Sequence, residues 1–243
     1  FLSALLVASV STTYVTFGGQ TSVIMTDLFQ GVMLLITGLL LLVFGAAYLG
    51  GFADFWAYLP RGHRLAFPAF NADPSYPAVG IFWQDAMANS AMFYFLNQGM
   101  VMRLMAARSV DDSRKAMATM LLVLMPIAAL VVASGGWVGQ SLVSAGVLPE
   151  MEPKEAFFVT ANFLSTPGIF GLIMAALTAA LMSTVDTLIP AISAIAVNDI
   201  YKPLNPTASE SQMLKVARIS AVAIAVFGVL LVPIFQSFGS IYS

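Results

Sequence analysis

An all-α integral membrane bundle of about six transmembrane helices is the fold class this sequence predicts, and three observations predict it. Of 243 residues, 59% are hydrophobic and 9% charged, against roughly 45–50% and 25% in soluble domains. Long stretches carry no charge at all, notably Val32 to Leu49 and Ala116 to Pro149. The short alternating segments of an outer-membrane barrel do not occur, so helices are the reading. The same composition excludes aqueous enzymes, nucleic-acid binders and disordered chains, and a net charge of -2 offers no basic field for phosphates. Without cysteine there is no disulfide, iron–sulfur cluster or thiolate nucleophile, and His63 alone cannot build a histidine-based metal site. Neither GxxxxGKS/T nor GxGxxG occurs, so any work is not driven by ATP held in the usual glycine loops.

A spanning helix needs about 20 mostly apolar residues. Cutting wherever charges, prolines and glycines cluster gives six spans, roughly 1 to 16, 27 to 50, 78 to 104, 116 to 142, 167 to 198 and 214 to 236. Orientation follows from lysine and arginine. Arg103, Arg108, Arg114, Lys115, Lys202, Lys215 and Arg218 lie on one side, and Arg61, Arg64 and Lys154 on the other, which puts the first set in the cytoplasm. The first span then runs inward and the sixth outward. Residues 51–77, with Pro60, Pro68, Pro74 and Pro77, become an external loop with room for a short surface helix. Residues 199–215, with Pro203 and Pro206, become a cytoplasmic linker. The chain opens on Phe1 inside an apolar run and ends at Ser243 without a polar tail, so residues 1–243 read as one transmembrane domain cut from a longer protein.

Acids inside spans cost about 2.5–3.5 kcal/mol on insertion scales, so they usually face a bundle interior or a watery cavity. Asp27 and Asp85 lie near helix ends and read equally well as interfacial residues; Asp186 lies deep in the fifth span. Around it, Ala180, Ser183, Thr184 and Thr187 follow i, i+3, i+4, i+7 spacing, so one helical face carries three hydroxyls. Pro190 has no N–H to give the Asp186 carbonyl. Hydroxyls, a carboxylate and a loosened carbonyl are hard oxygen ligands that suit Na⁺ better than a transition metal. The competing reading is that Ser and Thr bond only their own helix backbone. On the third span Asp85, Asn89, Ser90, Phe93 and Asn97 form a second polar stripe, suited to a small polar solute or to interhelical hydrogen bonds.

Four strings resemble the sodium/solute symporter family. YVTFGGQTSVIMTDLFQ (14–30) is similar to its tyrosine, double-glycine and Thr-Asp-x-x-Gln segment, and NQGMVMRLMAARSVDDSRKA (97–116) to its Asn-Gln, Arg, Ala-Ala-basic-Ser segment. PGIFGLIMAA (167–176) and AALMSTVDTLIPAISAIAVNDIYK (179–202) resemble the helix that ends in Asp-Ile-Tyr-Lys and the stretch leading into it. The resemblance implies part of a LeuT-type inverted-repeat helix bundle, with the six spans as core helices four to nine and solute and ion near the midplane. It implies Na⁺ as the coupling ion, held by Ser183, Thr184 and the Ala180 carbonyl, with Asp27 and Asp186 in cation coupling. It implies a solute site at Asn89, Ser90, Phe93, Tyr94 and Asn97; Ser90 and Phe93 depart from the Asn and aromatic gate of sugar carriers, which puts sugar recognition in doubt. Core helix one, which completes the Na⁺ site, lies outside the sequence. The expected activity is therefore Na⁺-coupled symport of a sugar or polyol, amino acid or carboxylate by a multi-pass protein of the cell membrane. It involves no enzymatic chemistry and no nucleic acid, and its partners are the solute, the sodium ion and the lipid bilayer. The alternative is a symporter-like sensor module of a signalling protein.

Overall fold

A computed structural model describes residues 1–64 and 82–236. All regular structure among them is helical. Four helices are long and apolar enough to cross a membrane: α1 (Leu2–Tyr48), Val110–Ser144, Pro167–Leu204 and Glu210–Phe235. Large apolar side chains such as Leu122 and Phe227 stand on the outside, a surface that would be costly in water.

The count of four against six spans has two physical causes. α1 holds the first two expected spans in one element, since 47 residues at ~1.5 Å each make ~70 Å, about twice a ~30 Å hydrocarbon core. It breaks at Gly19, whose φ of 60° and ψ of -156° are non-helical and essentially restricted to glycine. After a short α2 (Phe52–Tyr58) and a turn at Arg61–Arg64, the expected external loop passes out of the described residues at 65. The expected third span is interrupted. A π-helical segment, Phe82–Asn89, leads into α3 (Ser90–Leu96), and α4 (Gln98–Met105) follows after Asn97, whose ψ of 113° breaks the helix. The Asn97 side chain accepts a hydrogen bond from Met100 N at 3.0 Å, capping α4 where asparagine competes with the helical ladder.

α5 (Val110–Ser144) starts at Ser109, whose Oγ accepts from Asp112 N at 3.1 Å, and contains a π turn at Met120–Leu124. It ends at Gly146 (φ 73°), with Val147 N donating to Leu142 O at 2.9 Å and Gly146 N to Val143 O at 2.9 Å, a Schellman closure. α6 (Ala156–Leu164) precedes α7 (Pro167–Leu204), which passes through a π turn at Ala196–Tyr201. α7 runs on to Leu204 and α8 (Glu210–Gln236) begins at Glu210, so the linker is shorter than 199–215. Pro203 falls in the first turn after the π segment, where a missing N–H is tolerated.

The chain forms two compact units, Val32–Ala176 and the pair of segments Phe1–Gly31 and Leu177–Ser243. In the first, Gly38 and Gly45 of α1 face Val131 and Val138 of α5 so closely that a Cβ on either glycine would fall 3.0 Å from the valine Cβ. Both pairs repeat at seven residues, the spacing of left-handed helix packing with small residues at the contact. Ala46, Phe55, Val138 and Leu142 make one core, and Leu41, Ala161 and Ile173 another. In the other unit Val15, Val23, Ile189 and Ala221 pack together, with Tyr14 and Val185 against them.

Candidate cation site

Among the described residues the fully buried acid is Asp186, at 0% exposure. It lies on α7, shortly after the alanine-rich stretch 175–180, whose small side chains let neighbouring helices approach. Within the unit that holds it, α7 meets both parts of α1. The Ser183 hydroxyl donates to Asp27 Oδ1, and one turn later the Tyr14 phenol donates to Asp186 Oδ2. Tyr14 precedes the Gly19 break and Asp27 follows it, so each part of α1 supplies one polar partner to the same helix.

The expected cation residues therefore separate into two kinds. Ser183 and Asp27 are brought together from 156 residues apart, and Asp186, three residues after Ser183, is joined by Tyr14 from 172 residues away. Thr184 donates back to the Ala180 carbonyl at 3.4 Å and is exposed. Thr187 donates to the Ser183 carbonyl at 2.7 Å. Of the two adjacent hydroxyls, Ser183 reaches another helix while Thr184 stays with its own. The donors gathered are a half-buried carboxylate, a buried carboxylate, hydroxyls and backbone carbonyls, all hard oxygen. Among the described residues no group of three or more His, Cys, Asp or Glu could hold a metal.

Tyr14 was not among the residues expected at the site. Its signal in the sequence is weak: a polar-tipped aromatic one turn before a double glycine, with a partner 172 positions away. Ser11 and Thr26 also lie beside its phenol.

The solute stripe belongs to the Val32–Ala176 unit. Asn89 closes the π segment, Ser90 and Phe93 lie on α3, and Phe93 is 48% exposed. Asn97 spends its carbonyl oxygen on capping α4. The side chains of Asp85 and Tyr94 lie outside what is described. A pocket of about 500 Å³ in this unit is lined by other residues, among them His63, Trp137, Gln140 and Glu150.

Comparison with known proteins shows the family and the fold. The model of the sodium:solute symporter family matches residues 1–242. The chain is 24% identical to a sodium/glucose cotransporter of Vibrio parahaemolyticus, over 94% of this chain and 46% of that protein. It is 27% identical to the mouse (Mus musculus) sodium-coupled monocarboxylate transporter 2, over 83% and 33%. To the high-affinity proline transporter PutP of Bacillus subtilis it is 24% identical, over 93% and 46%. The chain thus spans a third to a half of the length of these relatives. Among solved structures, an outward-open Na⁺-coupled sialic acid symporter superposes with a TM-score of 0.77 at 20% identity, over 96% of this chain and 51% of that one, which shows a shared fold.

Proposed function

Since the chain belongs to the sodium:solute symporter family, a family of transporters and not of enzymes, we propose that it forms the cation-binding half of a Na⁺-coupled symporter for a small polar solute. The observation that carries this reading is the Ser183 to Asp27 hydrogen bond between α7 and α1. A hydroxyl that reaches across to a carboxylate at membrane depth sets two oxygens where a Na⁺ ion can share them. Ala180, Ser183 and Thr184 are the proposed ligands, with Thr184 free to turn outward from the 3.4 Å bond to its own helix. Asp27 and Asp186 supply the negative charge that draws the ion in. Core helix one, from outside this sequence, would close the site.

In this reading Na⁺ enters from outside, steadies α7 against its neighbours and favours the solute-binding form; its loss to the cytoplasm loosens the site. One charge crossing 100 mV yields about 2.3 kcal/mol, and at ~1.4 kcal/mol per decade this supports a solute gradient of roughly forty-fold. The solute is a sugar or polyol, an amino acid or a carboxylate, with Asn89, Ser90, Phe93, Tyr94 and Asn97 as its proposed contacts; the relatives between them carry glucose, monocarboxylates and proline by their names.

The test is uptake of a radiolabelled panel of these three classes by the complete gene product, with and without Na⁺. One class should accumulate only with Na⁺, and Ser183→Ala with Thr184→Ala should raise the Na⁺ concentration for half-maximal uptake about tenfold or more, the scale of losing ion-to-oxygen contacts. Unaltered Na⁺ dependence in the double variant rules the site out.

A further inference from the structure

We propose that Tyr14 is a positioning residue for the cation site, acting through Asp186 and across the break at Gly19; the proposal rests on the cation reading of Asp27 and Ser183. First, α1 breaks at Gly19, where a Cβ would meet no atom within 4 Å, so no close packing at that point sets the bend. The angle at the break must therefore be set by contacts on either side of it. Second, those contacts converge on one helix. Tyr14, five residues before the break, donates to Asp186, and Asp27, eight residues after it, accepts from Ser183. Positions 183 and 186 are three apart and so neighbours on one α7 face. Third, Asp186 is wholly buried, and a buried carboxylate needs donors to keep one orientation.

Val15 and Val23 add apolar packing on the same two sides of the break, against Ile189. That packing brings the helices together but is non-directional. The phenol hydroxyl adds direction. It fixes one oxygen of Asp186, and by tying the first part of α1 to α7 it fixes where the second part carries Asp27. The phenol donates to Asp186, so its influence on a cation at Ser183 and Asp27 runs through that carboxylate.

The experiment is ²²Na⁺ binding to the purified complete gene product, which needs no knowledge of the solute, together with Li⁺ competition and thermal unfolding. Tyr14→Phe removes one oxygen and keeps the ring. Its Na⁺ dissociation constant should rise about tenfold, with altered Li⁺ to Na⁺ selectivity and little change in unfolding temperature. A hydrogen bond to a charged group has energy enough for this. In combination with Asp186→Asn the Tyr14→Phe effect should shrink to less than twofold, because the partner through which Tyr14 acts is already altered. Wild-type affinity and selectivity in Tyr14→Phe, or a full tenfold effect that persists beside Asp186→Asn, overturns the proposal. Should Tyr14→Phe aggregate, Tyr14→His decides, since it keeps a ring with a polar edge: Na⁺ affinity lowered beside an intact Asp186 and recovered to within twofold of the single Asp186→Asn variant when the two are combined upholds the role of Tyr14, and wild-type affinity in Tyr14→His overturns it. Failure of the underlying reading looks different, since Ser183→Ala with Thr184→Ala would then bind Na⁺ as the wild type does.

Discussion

In the unit that carries Asp27 and Asp186, hydroxyls of Ser183 and Tyr14 reach from one helix to a carboxylate on another. In the Val32–Ala176 unit three buried hydroxyls turn back on their own helices. Thr37 bonds the Met33 carbonyl at 2.9 Å, Ser134 that of Val131 at 2.7 Å and Ser141 that of Trp137 at 2.9 Å. There the helices meet instead through missing side chains, with Gly38 and Gly45 under two valines and Gly135 against Phe157. Similar small polar residues thus serve opposite ends. Where a hydroxyl serves its own backbone, the neighbouring helix can come close and pack tightly; where it serves a distant acid, the helix contact stays polar, which is what the proposed cation site requires. One unit should govern stability and the other cation affinity, and substitutions can separate the two.

The largest expected effect is on stability. Gly45→Leu puts a side chain where even a Cβ would fall 3.0 Å from the Cβ of Val138. Val138 is fully buried and β-branched, so it cannot swing aside. Overpacking of this kind costs about 1–3 kcal/mol and sometimes more. The complete gene product in detergent should unfold several degrees lower, while the fraction that remains folded binds ²²Na⁺ with unchanged affinity. A large loss of affinity with intact stability would erase the contrast between the units.

Asp27→Asn is the converse. The amide keeps the volume and can still accept from Ser183, so thermal unfolding should shift little. The lost negative charge should weaken Na⁺ binding about tenfold, in line with the ~1–1.5 kcal/mol by which contacts to charged groups exceed neutral ones. Wild-type Na⁺ affinity in this variant would leave Ser183 and Asp27 as a merely structural pair.

The sequence discloses these two roles unevenly. Helices and membrane character are legible because they are local: charge-free runs such as Val32 to Leu49 leave little else possible. Helix breaks are half legible. Asn97 and Gly19 are residues that break helices, but nothing in the spacing says that Asn97 caps α4 or that Gly19 adopts a positive φ while other glycines of α1 stay helical. The hydroxyl face at Ser183, Thr184 and Thr187 follows from helical periodicity, whereas which hydroxyl leaves its own backbone does not. That choice depends on Asp27 arriving from 156 residues away. Tyr14 is the extreme case, an aromatic whose role exists only through tertiary placement.

The smallest expected effect tests the comparison most finely, because it sets one serine against another. Ser134 is fully buried and its Oγ donates to the Val131 carbonyl, 2.7 Å away on the same helix. That carbonyl has the helical ladder as its other partner, so Ser134→Ala strands no buried group. Alanine is also the better helix former, by a few tenths of a kcal/mol. The variant should therefore sit within about 0.5 kcal/mol of the wild type in stability and bind ²²Na⁺ normally. Ser183→Ala also removes one hydroxyl from a transmembrane helix, but it takes a donor from Asp27 and a ligand from the proposed ion. Parallel titrations of the two variants would expose a false distinction at once: if Ser134→Ala weakened Na⁺ binding as much as Ser183→Ala, the direction in which a hydroxyl points would not be what separates scaffold from site.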